Sequence, residues 1–406
     1  MRTKPSAALV NRSLAILAAT LILMTSASAV TETVIFRFKN LPGTLIFDSA
    51  GNLYGMTSLG GGHNGGTVFK LSPGSHGAWT KTVLHNFDPQ SRKDGGNPFS
   101  SGLVFDSAGN LYGTTTSGGR FERGTVFELT PAANGTWTET ILCSFGPVGS
   151  NNGEQPLSGL VFDAAGNLYG TTSTGGAWNA GTVFELSPVN RGWAEKVIYS
   201  FAGAGDGVTP IGGVVFDKAG NLYGTTFAGG RGAGIVFELS PGSSGIWSET
   251  VLHRFKHGSD GGRPYAGLVM DQAGNFYGTA EAGGTQRKGL VFALTPATGG
   301  GWTMTTIHAF AGPPGDGTMP VDALIVDATG NLYGTTLFGG TDHLGTVFKL
   351  APASGGGWTE SVLYSFTGGS SGRSPFVGVV PDSAGHLFGT SVVPKRGPGI
   401  VFEITP

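Results

Sequence analysis

The chain has 406 residues, of which 73 are glycine and only 12% are charged, with a formal net charge of −2. Average chains hold about 7% glycine and about 25% charged residues, and glycine costs a helix interior about 1 kcal/mol relative to alanine, so a helical bundle or helical solenoid is excluded. The near-neutral balance gives no case for a nucleic-acid binder, and a hydrophobic share of 39% is too high for a disordered chain.

Residues 1–29 read as an export signal. Arg2, Lys4 and Arg12 precede an apolar run from Leu14 to Met24, and Ala27-Ser28-Ala29 has the A-x-A form of a cleavage site. That run is well below the roughly 20 residues that span a bilayer, and no second run of spanning length follows it. The expected mature protein is residues 30–406, secreted or periplasmic, with no membrane span.

The next segment, TETVIFRF at 31–38, looks like one strand of a unit that then repeats. FDSAGNLYG and close variants recur from Asp48, Asp106, Asp163, Asp217, Asp271, Asp327 and Asp382, at intervals of 54 to 58 residues. In the second copy the β-branched and aromatic residues mark four strands: Leu103 to Asp106, Asn110 to Thr115, Thr125 to Thr130 and Trp137 to Phe145. Asp106 and Gly109 suit the turn between the first two, since Asp bonds its own backbone and Gly accepts positive φ. The seven aspartates are therefore read as turn formers rather than a catalytic or metal ring.

Four antiparallel strands in each of seven units, without helices, predict a single all-β domain, a seven-bladed β-propeller. The seventh unit stops at its third strand, GIVFEITP, whereas 31–38 matches a fourth strand. Pairing the two closes the ring and removes an edge. The single cysteine, Cys143, cannot form an internal disulfide; its position is held by His85, Tyr199, His253, His308 and Tyr364 elsewhere, which makes it a packing residue. Six tryptophans, including Trp79 and Trp137, share one repeat position and are expected to pack between blades.

The pattern NLYGTT..GG....GTVF.L.P..G.W resembles the Gloeo-Verruco tandem repeat family of exported bacterial proteins, over essentially all of 31–406. More loosely, Gly118-Gly119 through Trp137 is similar to kelch propeller repeats. The resemblance implies export and a propeller, and no particular activity. Some members end in a sorting or anchoring segment; the chain stops at Pro406 without one, so anchoring is not expected.

Function must come from residues that depart from the repeat. The second-to-third and fourth-to-first strand connections emerge on one face of a propeller, and their fillings vary. Arg120, Arg123, Arg231, Arg287 and Lys288 lie there, with Lys395 and Arg396. His63, Asp342, His343, Phe121 and Trp178 join them, Trp178 out of register with the other tryptophans. A forked Arg suits carboxylate or sulfate and an indole can stack on a sugar ring. The expected function is a non-catalytic binding or scaffold module for an extracellular polysaccharide or a cell-envelope protein. A polysaccharide lyase or hydrolase and a purely structural surface protein are the alternatives. No catalytic residue is singled out, and no HExxH or GxSxG motif is present. The Asp-Gly-x-x-Pro segments led by Asp94, Asp206, Asp260 and Asp316 offer one carboxylate each, whereas calcium takes six to eight oxygens. No cofactor or metal is expected, and a monomer is.

Overall fold

The computed structural model describes residues 30–406 except 100, 101, 148, 150, 204, 244 and 394–398. The export signal, Lys395 and Arg396 lie outside the described residues.

Seven four-stranded antiparallel sheets form a ring, with no α-helix among the described residues. In blade 2 the strands are Val104–Phe105, Leu111–Thr115, Thr125–Pro131 and Trp137–Ser144, each pairing with the next. The sequence-read bounds hold to within one residue for all four strands, the inner one being trimmed by one residue at each end to two residues. Blade 7 is completed by Thr31–Arg37, which pairs antiparallel with Gly399–Thr405 from Thr31 opposite Thr405 to Arg37 opposite Ile400. Among the described residues no helix is long and apolar enough to cross a membrane.

The core lies between the blades. At each seam a phenylalanine following one fourth strand meets a phenylalanine on the next blade's third strand. Phe87–Phe127, Phe145–Phe184 and Phe255–Phe292 have centroids 5.2, 5.1 and 5.4 Å apart, and Phe38–Phe69, across the closing seam, 4.5 Å. These rings are essentially fully buried, each worth about 1.5–3 kcal/mol. Nearer the surface the repeat-position tryptophans pack on the tyrosine of the preceding blade, as Trp137 does on Tyr54 at 6.4 Å and Trp193 on Tyr112 at 6.4 Å. Trp79 meets Phe388 across the closing seam.

The glycine of NLYG has a packing cause. A Cβ on Gly113 would come within 2.7 Å of Phe127 Cζ and 3.0 Å of Leu103 Cδ2, so the core phenylalanine lies flat over a strand with no side chain beneath it. Hydroxyls add pins between blades. Thr114 Oγ1 donates to the Ser158 carbonyl at 2.9 Å, Thr225 Oγ1 to that of Ala266 at 2.7 Å, and Thr390 Oγ1 to that of Pro42 at 3.0 Å, again across the closing seam.

Candidate functional site

The turns between first and second strands lie on one face. Asp106 Oδ1 accepts bonds from the Ala108 and Asn110 amides, both 2.9 Å, and Oδ2 accepts from Asn110 Nδ2 at 2.8 Å and the Tyr112 hydroxyl at 3.1 Å. The same Asn and Tyr bonds recur at Asp48, Asp163, Asp217, Asp271 and Asp327. Burial pushes these carboxyls up, but the hydrogen bonds outweigh it and hold them below the ordinary range. Their oxygens are spent internally, as expected of turn formers.

The opposite face carries the variable loops on a pinned backbone. In six of the connecting loops the residue before the proline that leads into the next blade sits at positive φ, as at Asn97 (52°), Gln155 (56°) and Arg263 (55°). Its amide donates to a loop carbonyl of the preceding blade: Asn97 to Gly65 at 2.7 Å, Gln155 to Arg123 at 2.9 Å, Arg263 to Ala233 at 2.8 Å. Side chains therefore project from a fixed crown.

On that crown Trp178 is 68% exposed and Phe121 36%, at the same loop position of neighbouring blades. The Arg120 guanidinium lies over the Phe121 ring, 5.2 Å from its centroid. Arg231, Lys288 and Asp342 are exposed. Arg287 and His343, also exposed, occupy a turn position with φ of 55° and 61°, where the third blade has Asn179 at 53°. Arg123 pairs with the buried Glu154 at 3.5 Å, and His63 Nδ1 lies 3.6 Å from Asp88. Arg123 thus spends its charge inside the crown.

Two arrangements escaped the sequence reading. The first is axial. Phe376 stands 5.9 Å from Tyr265 and 6.1 Å from Phe99, ring to ring. These residues lead into blades 7, 5 and 2, so the three rings meet across the axis. A cavity of about 250 Å³ adjoins Tyr265, lined by small residues such as Gly159, Gly213 and Gly267 and by one carboxylate, Asp322. Burial pushes Asp322 up to about 6, although it accepts bonds from the Gly378 and Ala323 amides. The signal was present: Asp322 occupies a repeat position that is Ser158, Gly212 and Ala266 in other blades.

The second lies in the seams. Asp94 does organise its loop, accepting from the Asp88 amide at 2.8 Å, but it also faces His85 Nε2 at 3.2 Å. Asp316 meets His308 at 3.3 Å and Asp206 the Tyr199 hydroxyl at 3.0 Å. Cys143 is buried, as expected of a packing residue, and its thiol donates to Glu195 at 3.5 Å. Burial, then the Glu195 charge, pushes that thiol well up, which leaves no thiolate for chemistry.

No protein of curated function matches the chain in sequence. Among solved structures it is similar to virginiamycin B lyase from Staphylococcus aureus, with a TM-score of 0.55 and 12% identity over 93% of this chain and 99% of that one. It is also similar to an ancestral GH74 enzyme, with a TM-score of 0.59 and 10% identity over 91% of this chain and 48% of that one. At such identities the likeness shows the propeller alone. The family model of the Gloeobacter/Verrucomicrobia repeat matches residues 18–237 and 213–406, and together these matches span all seven blades. The chain belongs to the Gloeobacter/Verrucomicrobia repeat family.

Proposed function

We propose that the chain is an exported binding module whose loop face docks an extracellular polysaccharide, with Trp178 and Phe121 as stacking platforms and Arg120 as the anion-binding group. The observation that carries this reading is the exposed indole of Trp178, with a phenylalanine already backed by a guanidinium at the same loop position of the neighbouring blade. An exposed Trp gains nothing from the fold, whereas its flat apolar face suits the C–H face of a sugar ring. The pinned crown means that little loop ordering is lost on binding. A polymer lies across this face rather than through the axis, where Phe99, Phe376 and Tyr265 stand ring to ring. Export rests on the segment 1–29, with cleavage near Ala29, and the module acts as a monomer.

The test is binding of the mature protein to a panel of neutral and anionic polysaccharides. Trp178→Ala is expected to weaken binding at least about tenfold, as removal of a central aromatic anchor does, with an unchanged melting temperature. Arg120→Ala is expected to weaken only the anionic ligands. Binding that ignores both substitutions overturns the site, and release of unsaturated or reducing sugar ends by the wild type replaces this reading with a lyase or hydrolase.

A further inference from the structure

The seams repeat one polar constellation: a side chain near the end of a fourth strand, the aspartate of the connecting loop, and a glutamate two residues after the tryptophan of the next blade. In two seams it is complete as His, Asp and Glu: His85, Asp94 and Glu139 between blades 1 and 2, and His308, Asp316 and Glu360 between blades 5 and 6. One ligand atom from each of the three lies within 4.8 Å of the others. His85 Nε2 is 3.2 Å from Asp94 Oδ1 and 3.7 Å from Glu139 Oε1. His308 Nε2 is 3.3 Å from Asp316 Oδ2.

The Glu139 side chain is only 10% exposed, yet its Oε1 has no hydrogen-bond partner, and neither has Glu360 Oε1. An orphaned carboxylate oxygen costs about 1–3 kcal/mol or more, and here Glu139 Oε1 faces the His85 imidazole nitrogen. Zinc bonds to N and O of about 2.0–2.2 Å place neighbouring ligand atoms about 3–3.5 Å apart, close to the separations already present. One imidazole and two carboxylates suit a borderline ion such as Zn²⁺; Ca²⁺ takes six to eight oxygens. The remaining exposure of His85 and Asp94, 18% and 13%, leaves room for water to complete the coordination.

We propose that these two seam clusters bind divalent transition-metal ions of the Zn²⁺ type, one ion each, stapling blade 1 to blade 2 and blade 5 to blade 6. The other seams lack a member of the set. Tyr199 replaces His beside Asp206 and Glu249, and Met304 replaces Glu beside His253 and Asp260.

The experiment is equilibrium dialysis of the untagged, chelator-stripped mature chain against Zn²⁺, followed by metal analysis. Two ions per chain are expected. His85→Tyr, which copies the Tyr199 seam and so preserves its polar contact, is expected to leave one ion, His308→Tyr likewise, and the double variant none. Glu249→Gln, in the seam without histidine, is expected to leave two. Zn²⁺ is also expected to raise the melting temperature of the wild type and not of the double variant. A wild type that retains no ion, a double variant that retains two, or Ca²⁺ retained as well as Zn²⁺ overturns the assignment.

Discussion

The two faces of the propeller are built from the same repeats and do opposite things with their polar groups. On the turn face each aspartate is consumed by its own loop: Asp106 accepts four bonds from within six residues, and the pattern returns around the ring. On the loop face it is the backbone that is consumed, through bonds such as Asn97 to Gly65 and Gln155 to Arg123, while side chains such as Trp178 project outward. A polar group already satisfied within its turn has nothing left for a ligand. Repetition of a carboxylate therefore marks structure, and the break in a repeat marks the place to look for chemistry.

The severest way to break this comparison is to destroy both faces together. Deleting Thr31–Phe38 removes the outer strand of blade 7 and the Phe38–Phe69 contact, and bares the edge of Gly399–Thr405. The expected outcome is loss of the cooperative thermal transition, with aggregation through the exposed edge. A deletion variant that melts like the wild type would show that the ring does not depend on its N-terminal clasp.

A smaller perturbation, Gly113→Ala, separates blade packing from both faces. The added methyl meets Phe127 Cζ and the Leu103 side chain on a buried strand, so a ring buried in the seam must move. Overpacking of this kind costs about 1–3 kcal/mol, which outweighs the 0.5–1 kcal/mol or so that alanine returns by restricting the unfolded chain. Chemical denaturation should show the loss, with the polysaccharide binding proposed for Trp178 unaffected. Unchanged stability would mean that the repeated placement of phenylalanine over glycine is incidental.

The architecture was legible because it rests on local rules repeated seven times. The Asp-to-Gly turn, the strand lengths and the phase mismatch between TETVIFRF and GIVFEITP each follow from short segments. The exposure of Trp178 was legible too, since the indole stood outside the register that buries the other tryptophans. Asp322 and the triads at His85 and His308 were not, because their partners come from other blades. His85 and Glu139 are 54 positions apart, nearly one full repeat, and Phe99 meets Phe376 across the axis. Comparing copies shows that Asp322 breaks a column of small residues, but only ring geometry brings it beside Gly378. Arg123 carried a further lesson: its charge read as part of a free basic rim, and the fold spends it on Glu154.

The subtlest expected effect sets the two regions against each other along the pH axis. The turn aspartates have carboxyls held below their ordinary range, so their stabilisation is present above about pH 4 and is lost as pH falls. The seam glutamates have the opposite sign. Burial, then the Asp206 charge, pushes Glu249 up to about 7 against the opposing pull of Arg254, with the Tyr199 hydroxyl also facing it; Glu32 and Glu360 also rise to about 7. A raised carboxyl stabilises the fold while protonated, fully so below about pH 4.5, and this is lost as pH rises through about 7. With metal excluded by chelator, the melting temperature should therefore peak between these limits and decline from about pH 5 to pH 8. Glu249→Gln keeps the neutral form at every pH and should flatten that decline. The full shift corresponds to a few kcal/mol, and partial exposure reduces it to about 1 kcal/mol, or about 1–2 °C in a chain of this size. Asp163→Asn should leave the decline above pH 5 untouched and act only on the acid side. If Glu249→Gln follows the wild-type curve through neutral pH, that seam holds its glutamate charged, and the division of labour between the faces does not extend to their protons.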